Sequence, residues 1–151
     1  MKGKIKKKTA YTVDGFTYVE TLVCLAVVLI LTLAVSVSAI KLIDRAKETK
    51  CRKEIQAFEQ ALEEYYVDCG RFPSQEQGLK ALWEKPVLYP VPVKWNGPYL
   101  NSEVPLDPWG NEYVYKVPGT NNLPYEIISY GSDGEKGGDG TKEDIYSWKR
   151  R

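Results

Sequence analysis

Gly15-Phe16-Thr17-Tyr18-Val19-Glu20 runs into an apolar stretch, residues 22–40, and the reading of that junction decides the fold. The stretch is 19 residues long and has no charge, no proline and no glycine. A membrane-spanning helix needs about 20 such residues, and a continuous helix satisfies its own backbone in lipid. Five lysines precede Gly15. Basic flanks stay on the cytoplasmic side, so the remainder of the chain is expected outside. One carboxylate, Glu20, stands at the lip of the run. An acid costs roughly 2.5–3.5 kcal/mol at the centre of a spanning helix and less toward its end, so Glu20 implies a dedicated partner. A secretory signal peptide is one alternative, with Ser36 and Ser38 as small residues near a cut. Its apolar core is about 7–15 residues long, shorter than this one. An ordinary signal anchor is another.

At these residues the chain resembles the type IV pilin-like proteins, whose class III signal has this form. The resemblance implies that a prepilin peptidase cuts between Gly15 and Phe16 and methylates the new amine of Phe16. That leaves 136 of the 151 residues. Tyr18 stands where the family usually has an aliphatic residue or Phe. The resemblance also implies that Glu20 meets the Phe16 amine of a neighbouring subunit during assembly. The physics agrees: cleavage creates a cation, and a carboxylate buried in an apolar bundle needs one.

The length leaves room for one domain beyond the anchor. A formal net charge of +1 gives no reason to expect nucleic acid. Histidine is absent, which excludes His-based triads and His-ligated zinc. Cys24, Cys51 and Cys69 form no metal-binding pattern. Cys51 and Cys69 fall on one expected helix, roughly 25 Å apart at its 1.5 Å rise per residue. A disulfide needs Cα atoms within about 7 Å, so both are expected as free thiols.

Residues 41–67 lack Pro and Gly and are rich in good helix formers. Ile55, Phe58, Leu62 and Tyr65 recur at helical spacing, with Gly70 placed to end the helix. One helix over residues 17–68 is expected, its first half in lipid and its second half amphipathic. Ser74-Gln75-Glu76-Gln77 has the form of a capping box opening a short helix. Pro86, Pro90, Pro92 and Pro98 then enforce an extended loop. Asp107-Pro108-Trp109-Gly110-Asn111 has turn chemistry. Residues 112–117, 125–130 and 145–148 read as short strands separated by turns, giving a three-stranded antiparallel sheet that needs a helix against it. The expectation is an α+β chain: a leader, residues 1–15; an assembly helix, 16–43; and a head, 44–151.

The resemblance narrows over Tyr65-Tyr66-Val67-Asp68-Cys69-Gly70-Arg71-Phe72-Pro73-Ser74-Gln75-Glu76-Gln77-Gly78-Leu79-Lys80-Ala81-Leu82. Together with Trp95-Asn96-Gly97-Pro98-Tyr99-Leu100, Pro105-Leu106-Asp107-Pro108-Trp109-Gly110-Asn111 and Tyr130-Gly131-Ser132-Asp133-Gly134, this is similar to the major pseudopilin family of type II secretion systems. Cys69 and the basic tail Lys149-Arg150-Arg151 depart from that pattern. The resemblance implies a type IV pilin-like fold and a structural subunit, a homo-oligomer forming a helical filament. It also implies a single-pass inner-membrane anchor with a cytoplasmic N-terminus and a periplasmic head. Assembly would drive folded proteins through an outer-membrane pore. The implied partners are the prepilin peptidase, minor pseudopilins and an inner-membrane assembly platform. A type IV pilin or competence pseudopilin shares Gly15 to Glu20 but not the later motifs. A membrane-anchored enzyme would need a nucleophile–base pair or an open metal site, and no such motif is present.

Residues 133–144 are rich in acids and glycines, the composition of a hard-cation site; zinc prefers sulfur and imidazole. The segment has the length of an EF-hand loop. Its fifth place is Gly137 and its last is Asp144 rather than Glu, and strands flank it, so that reading fails. The plain alternative is a solvated Gly-Asp turn. The family resemblance implies calcium here, with Asp133 and Asp144 as its side-chain ligands. Glu143, the backbone oxygen of Tyr130 and Asp139 are further candidates. Four tryptophans and eleven tyrosines are read as core and loop bracing rather than as a carbohydrate surface.

Overall fold

The structure, a computed structural model, describes residues 15–149, without the side chains of residues 33–39 and Thr141. The leader, apart from Gly15, and the tail residues Arg150 and Arg151 lie outside the described residues. Helix α1 spans Tyr18–Cys69, within a residue of expectation at each end. Thr17 caps its start, the hydroxyl oxygen accepting the Glu20 N–H at 3.2 Å. Gly70 ends it at φ 72°, its N–H donating to the Tyr66 carbonyl at 2.8 Å.

The chain divides into two compact units between Ile40 and Lys41. In the first, every described side chain from Phe16 to Thr32 is exposed. A helix apolar all round is a helix for a lipid or protein surround rather than for water.

The second unit is built on the apolar stripe of α1. Cys51, Ile55, Phe58, Leu62 and Tyr65 are all buried, and each fully buried apolar side chain contributes roughly 1.5–3 kcal/mol. Strands β1 (Val114–Lys116), β2 (Glu126–Ser129) and β3 (Ile145–Tyr146) form an antiparallel sheet in that order. Tyr115 pairs with Ile127 and Ser129 with Ile145. Tyr113 meets Phe58 edge-on at 5.1 Å. The architecture is α+β.

The strands are shorter than the pattern predicts. Pro118 has no N–H to continue a ladder. Strand β3 stops before Ser147, which still donates its N–H to the Ile127 carbonyl at 2.9 Å but takes the Ile127 N–H on its side-chain Oγ, at 3.2 Å, in place of its carbonyl. Both halves of the expected capping box form: Ser74 N–H to Gln77 Oε1 at 3.0 Å and Gln77 N–H to Ser74 Oγ at 3.3 Å. The helix it should open does not extend. Gly78 swings to φ 59°, and only a 3₁₀ turn, Leu79–Leu82, follows. Gln77 also donates to the Leu88 and Pro90 carbonyls, and Arg71 to those of Pro90 and Val91. The proline-rich loop is thereby pinned from behind. Trp95 donates its indole N–H to the Ala81 carbonyl and packs edge-on against Tyr99, the bracing role expected of it. Cys51 and Cys69 are free.

Candidate functional site

Two regions carry the residues singled out by sequence: the N-terminal junction and the 130–144 loop. At the junction, Thr17 and Glu20 have capping-box spacing, a signal the sequence reading passed over. Only one half forms. The Glu20 backbone N–H is taken by Thr17, and its carboxylate is in no hydrogen bond or ion pair among the described residues. The side chain is exposed, as is that of Phe16. The helix is thus capped without using the acid. Among the described residues no helix is long and apolar enough to cross a membrane; the side chains of residues 33–39, seven of the nineteen in the expected span, lie outside the described ones.

The 130–144 loop is mounted on a buried network centred on Asp107, which is 3% exposed. Its Oδ1 accepts the Trp109 and Asn111 N–H groups at 3.0 and 2.8 Å, and its Oδ2 accepts the Ser129 hydroxyl at 2.6 Å. Asn111 then donates its side-chain amide to the Gly131 carbonyl at 3.0 Å. A Cβ on Gly134 would crowd that same amide at 3.0 Å. Gly138, at φ 85°, passes so close to the Lys142 carbonyl that a Cβ would lie 2.5 Å from it.

The loop's acids are held apart. The buried Asp144 closes the loop on itself: both carboxylate oxygens accept the Gly137 N–H, at 3.0 and 3.1 Å, and Oδ2 accepts the Tyr146 hydroxyl at 2.8 Å. Burial, then that carboxylate, push the Tyr146 phenol up to about 12. Asp133 is exposed, with Oδ1 on the Glu135 N–H at 3.3 Å. Glu143 pairs with Lys149 at 3.0 Å. Asp139 is exposed, and Tyr130 is half-buried beyond β2. Among the described residues no three acidic or thiol side chains stand close enough to share an ion. The donors are all oxygen, which suits a hard cation. Such an ion would draw most of its oxygens from backbone and water.

Two further tyrosine–carboxylate bonds tie α1 to the domain: Tyr113 to Glu54 at 2.6 Å and Tyr99 to Asp68 at 2.9 Å. Burial, reinforced by Glu54, pushes the Tyr113 phenol far up.

A long helix whose second half is packed on a three-stranded sheet, with an acid just inside its capped start that has no partner among the described residues, defines a pilin-like subunit. The family model for type II secretion system protein G matches residues 38–148. The core protein G of Pseudomonas aeruginosa PAO1 is 39% identical over 135 residues, covering 89% of this chain and 94% of that one. That of Vibrio cholerae is 36% identical over 146 residues, covering 96% and 94%. A crystal structure of the major pseudopilin from the type 2 secretion system of enterohaemorrhagic Escherichia coli superposes with a TM-score of 0.59 at 36% identity, covering 70% of this chain and 89% of that one. The chain belongs to the type II secretion system protein G family.

Proposed function

We propose that this chain is the structural subunit of a pseudopilus, anchored in the inner membrane by residues 16–43 and polymerised through them to drive folded proteins across the outer membrane. The observation that carries the reading is the uncommitted Glu20 carboxylate, on a helix already capped by Thr17 and flanked by exposed apolar side chains. Prepilin peptidase cuts after Gly15, and the methylated Phe16 amine of one copy neutralises Glu20 of the next. Minor pseudopilins and an inner-membrane platform are the assembly partners. Coexpression with the peptidase and platform should give filaments by electron microscopy, and their subunits should show by mass spectrometry a methylated N-terminal Phe16. Subunits that retain residues 1–15 in assembled filaments would overturn it.

Calcium is proposed as the structural ion of the 130–144 loop, on Asp133, Asp144 and the Tyr130 carbonyl, with Glu143 and Asp139 as secondary donors. The all-oxygen donor set supports it. A bound ion stabilises the folded state by mass action, about 2.7 kcal/mol at a hundredfold excess over Kd. Chelation with EGTA should then lower Tm by roughly 10 °C for a domain of this size. An unchanged Tm rules the site out.

A further inference from the structure

The inward stripe of α1 can be followed upstream of the core. Cys51, Ile55, Phe58, Leu62 and Tyr65 are spaced by four and three, and all are buried. The same alternation carried back reaches Glu48, Asp44 and Lys41. The face that is apolar under the middle of the domain becomes charged toward the start of the unit. Those three, with Arg45, line a cavity of about 250 Å³ that Trp109 and residues 143–145 close from the other side. Pockets for drug-sized ligands run to about 300–1,000 Å³, so this one suits a small polar group.

The wall carries both signs. Lys41, Arg45 and Arg52 supply cations, and Asp44, Glu48, Glu143 and Asp144 supply carboxylates. Arg52 holds one oxygen of Glu48, Oε1, through two bonds, at 3.1 and 2.9 Å. The side chains of Lys41, Asp44 and Arg45 are in no ion pair or hydrogen bond among the described residues. A simple anion would meet the carboxylates and a simple cation would meet Lys41 and Arg45; a dipolar ion satisfies both. Lys41 directly follows Ile40, the last residue of the apolar run. Resting on the membrane anchoring proposed above, Lys41 is the first residue beyond the anchored run, where a long basic side chain at a helix end reaches the lipid interface.

We propose that this cavity binds a phosphate–ammonium lipid headgroup of the phosphatidylethanolamine type. The phosphate lies on Lys41 and Arg45, and the primary ammonium donates to Asp44 and Glu48. The choice between headgroups follows from donors. A primary ammonium has three N–H groups to give to carboxylates, as lysine has; a choline headgroup has none, and a glycerol headgroup carries no cation.

The test uses the full mature chain in nanodiscs of phosphatidylglycerol mixed with either phosphatidylethanolamine or phosphatidylcholine. Lipid retained by the extracted protein is read by native mass spectrometry, and backbone protection of residues 41–52 by hydrogen exchange. Phosphatidylethanolamine should be retained roughly tenfold over phosphatidylcholine, the factor about 1.4 kcal/mol gives, and should alone protect residues 41–52. The triple variant K41Q/D44N/R45Q should insert equally and lose the preference. In detergent, glycerophosphoethanolamine should protect the same residues and inorganic phosphate should not. Equal retention of the two lipids, equal protection by phosphate, or a variant that keeps the preference overturns the proposal. Protection that follows protein concentration instead of lipid overturns it in favour of a second copy of the chain. A chain absent from both discs sinks the anchoring alone, and the detergent arm then decides the cavity.

Discussion

Glu20→Ala abolishes filaments and leaves the chain in the membrane fraction. Two features make this expectation sharp. The cap at the start of α1 uses the backbone N–H of residue 20 and the Thr17 hydroxyl, so alanine keeps it, and fraying of the helix cannot account for a loss. Among the described residues the carboxylate is in no hydrogen bond or ion pair, so its removal is expected to leave the folded domain intact. In the proposed filament the same acid faces a buried amine. Removing one partner of a buried ion pair costs about 3–5 kcal/mol, which at about 1.4 kcal/mol per decade is more than a hundredfold in each subunit contact. Filament yield by electron microscopy and membrane retention by carbonate extraction read the two halves separately. Glu20→Gln should fail as well, since shape without charge does not answer an ammonium. Filaments of ordinary length from either variant would refute the pairing.

Asp107→Ala should be the most damaging single change to the domain. The carboxylate accepts two backbone N–H groups and a hydroxyl while almost fully buried. Leaving a buried donor unpaired costs roughly 1–3 kcal/mol, and the Ser129 hydroxyl can turn elsewhere while the two N–H groups cannot. A loss of about 3–4 kcal/mol is expected in urea denaturation of the 41–151 domain, with Asp107→Asn milder because one oxygen survives. The effect should spread, because Asn111 holds Gly131 and Trp109 walls the charged cavity. A change within about 0.5 kcal/mol, typical of an exposed position, would show that the network carries no weight.

Much of this was legible in the chain itself. The extent of α1 followed from an unbroken run without Pro or Gly, and its buried stripe from Ile55, Phe58, Leu62 and Tyr65. The antiparallel direction of the three strands followed from the turns between them. What escaped was what depends on distant neighbours. Glu126 reads as an ordinary strand acid, yet it is 1% exposed because Thr120 and Trp148 supply donors to one of its oxygens. Asp107 reads as a turn residue, and nothing local says that Ser129 lies over it. The Ser74–Gln77 box forms as its spacing predicts, but Gly78 cuts its helix short. Lys41, Asp44 and Glu48 drew no attention, although they continue the spacing of the apolar stripe; extending that spacing past its apolar part would have found them. In the acidic loop the residue types were plain, and their separation was not, since Asp144 is turned inward by the Gly137 N–H and Glu143 outward by Lys149.

The thiol of Cys51 is fully enclosed, and burial raises its pKa further from the reactive thiolate. Cys69, at the end of the same helix, is half-buried. The chain therefore carries its own folding reporter: alkylation at Cys51 marks molecules that have come apart, against Cys69, which is part-open in the folded domain. Native subunits in cells can be told from collapsed ones without introducing any label.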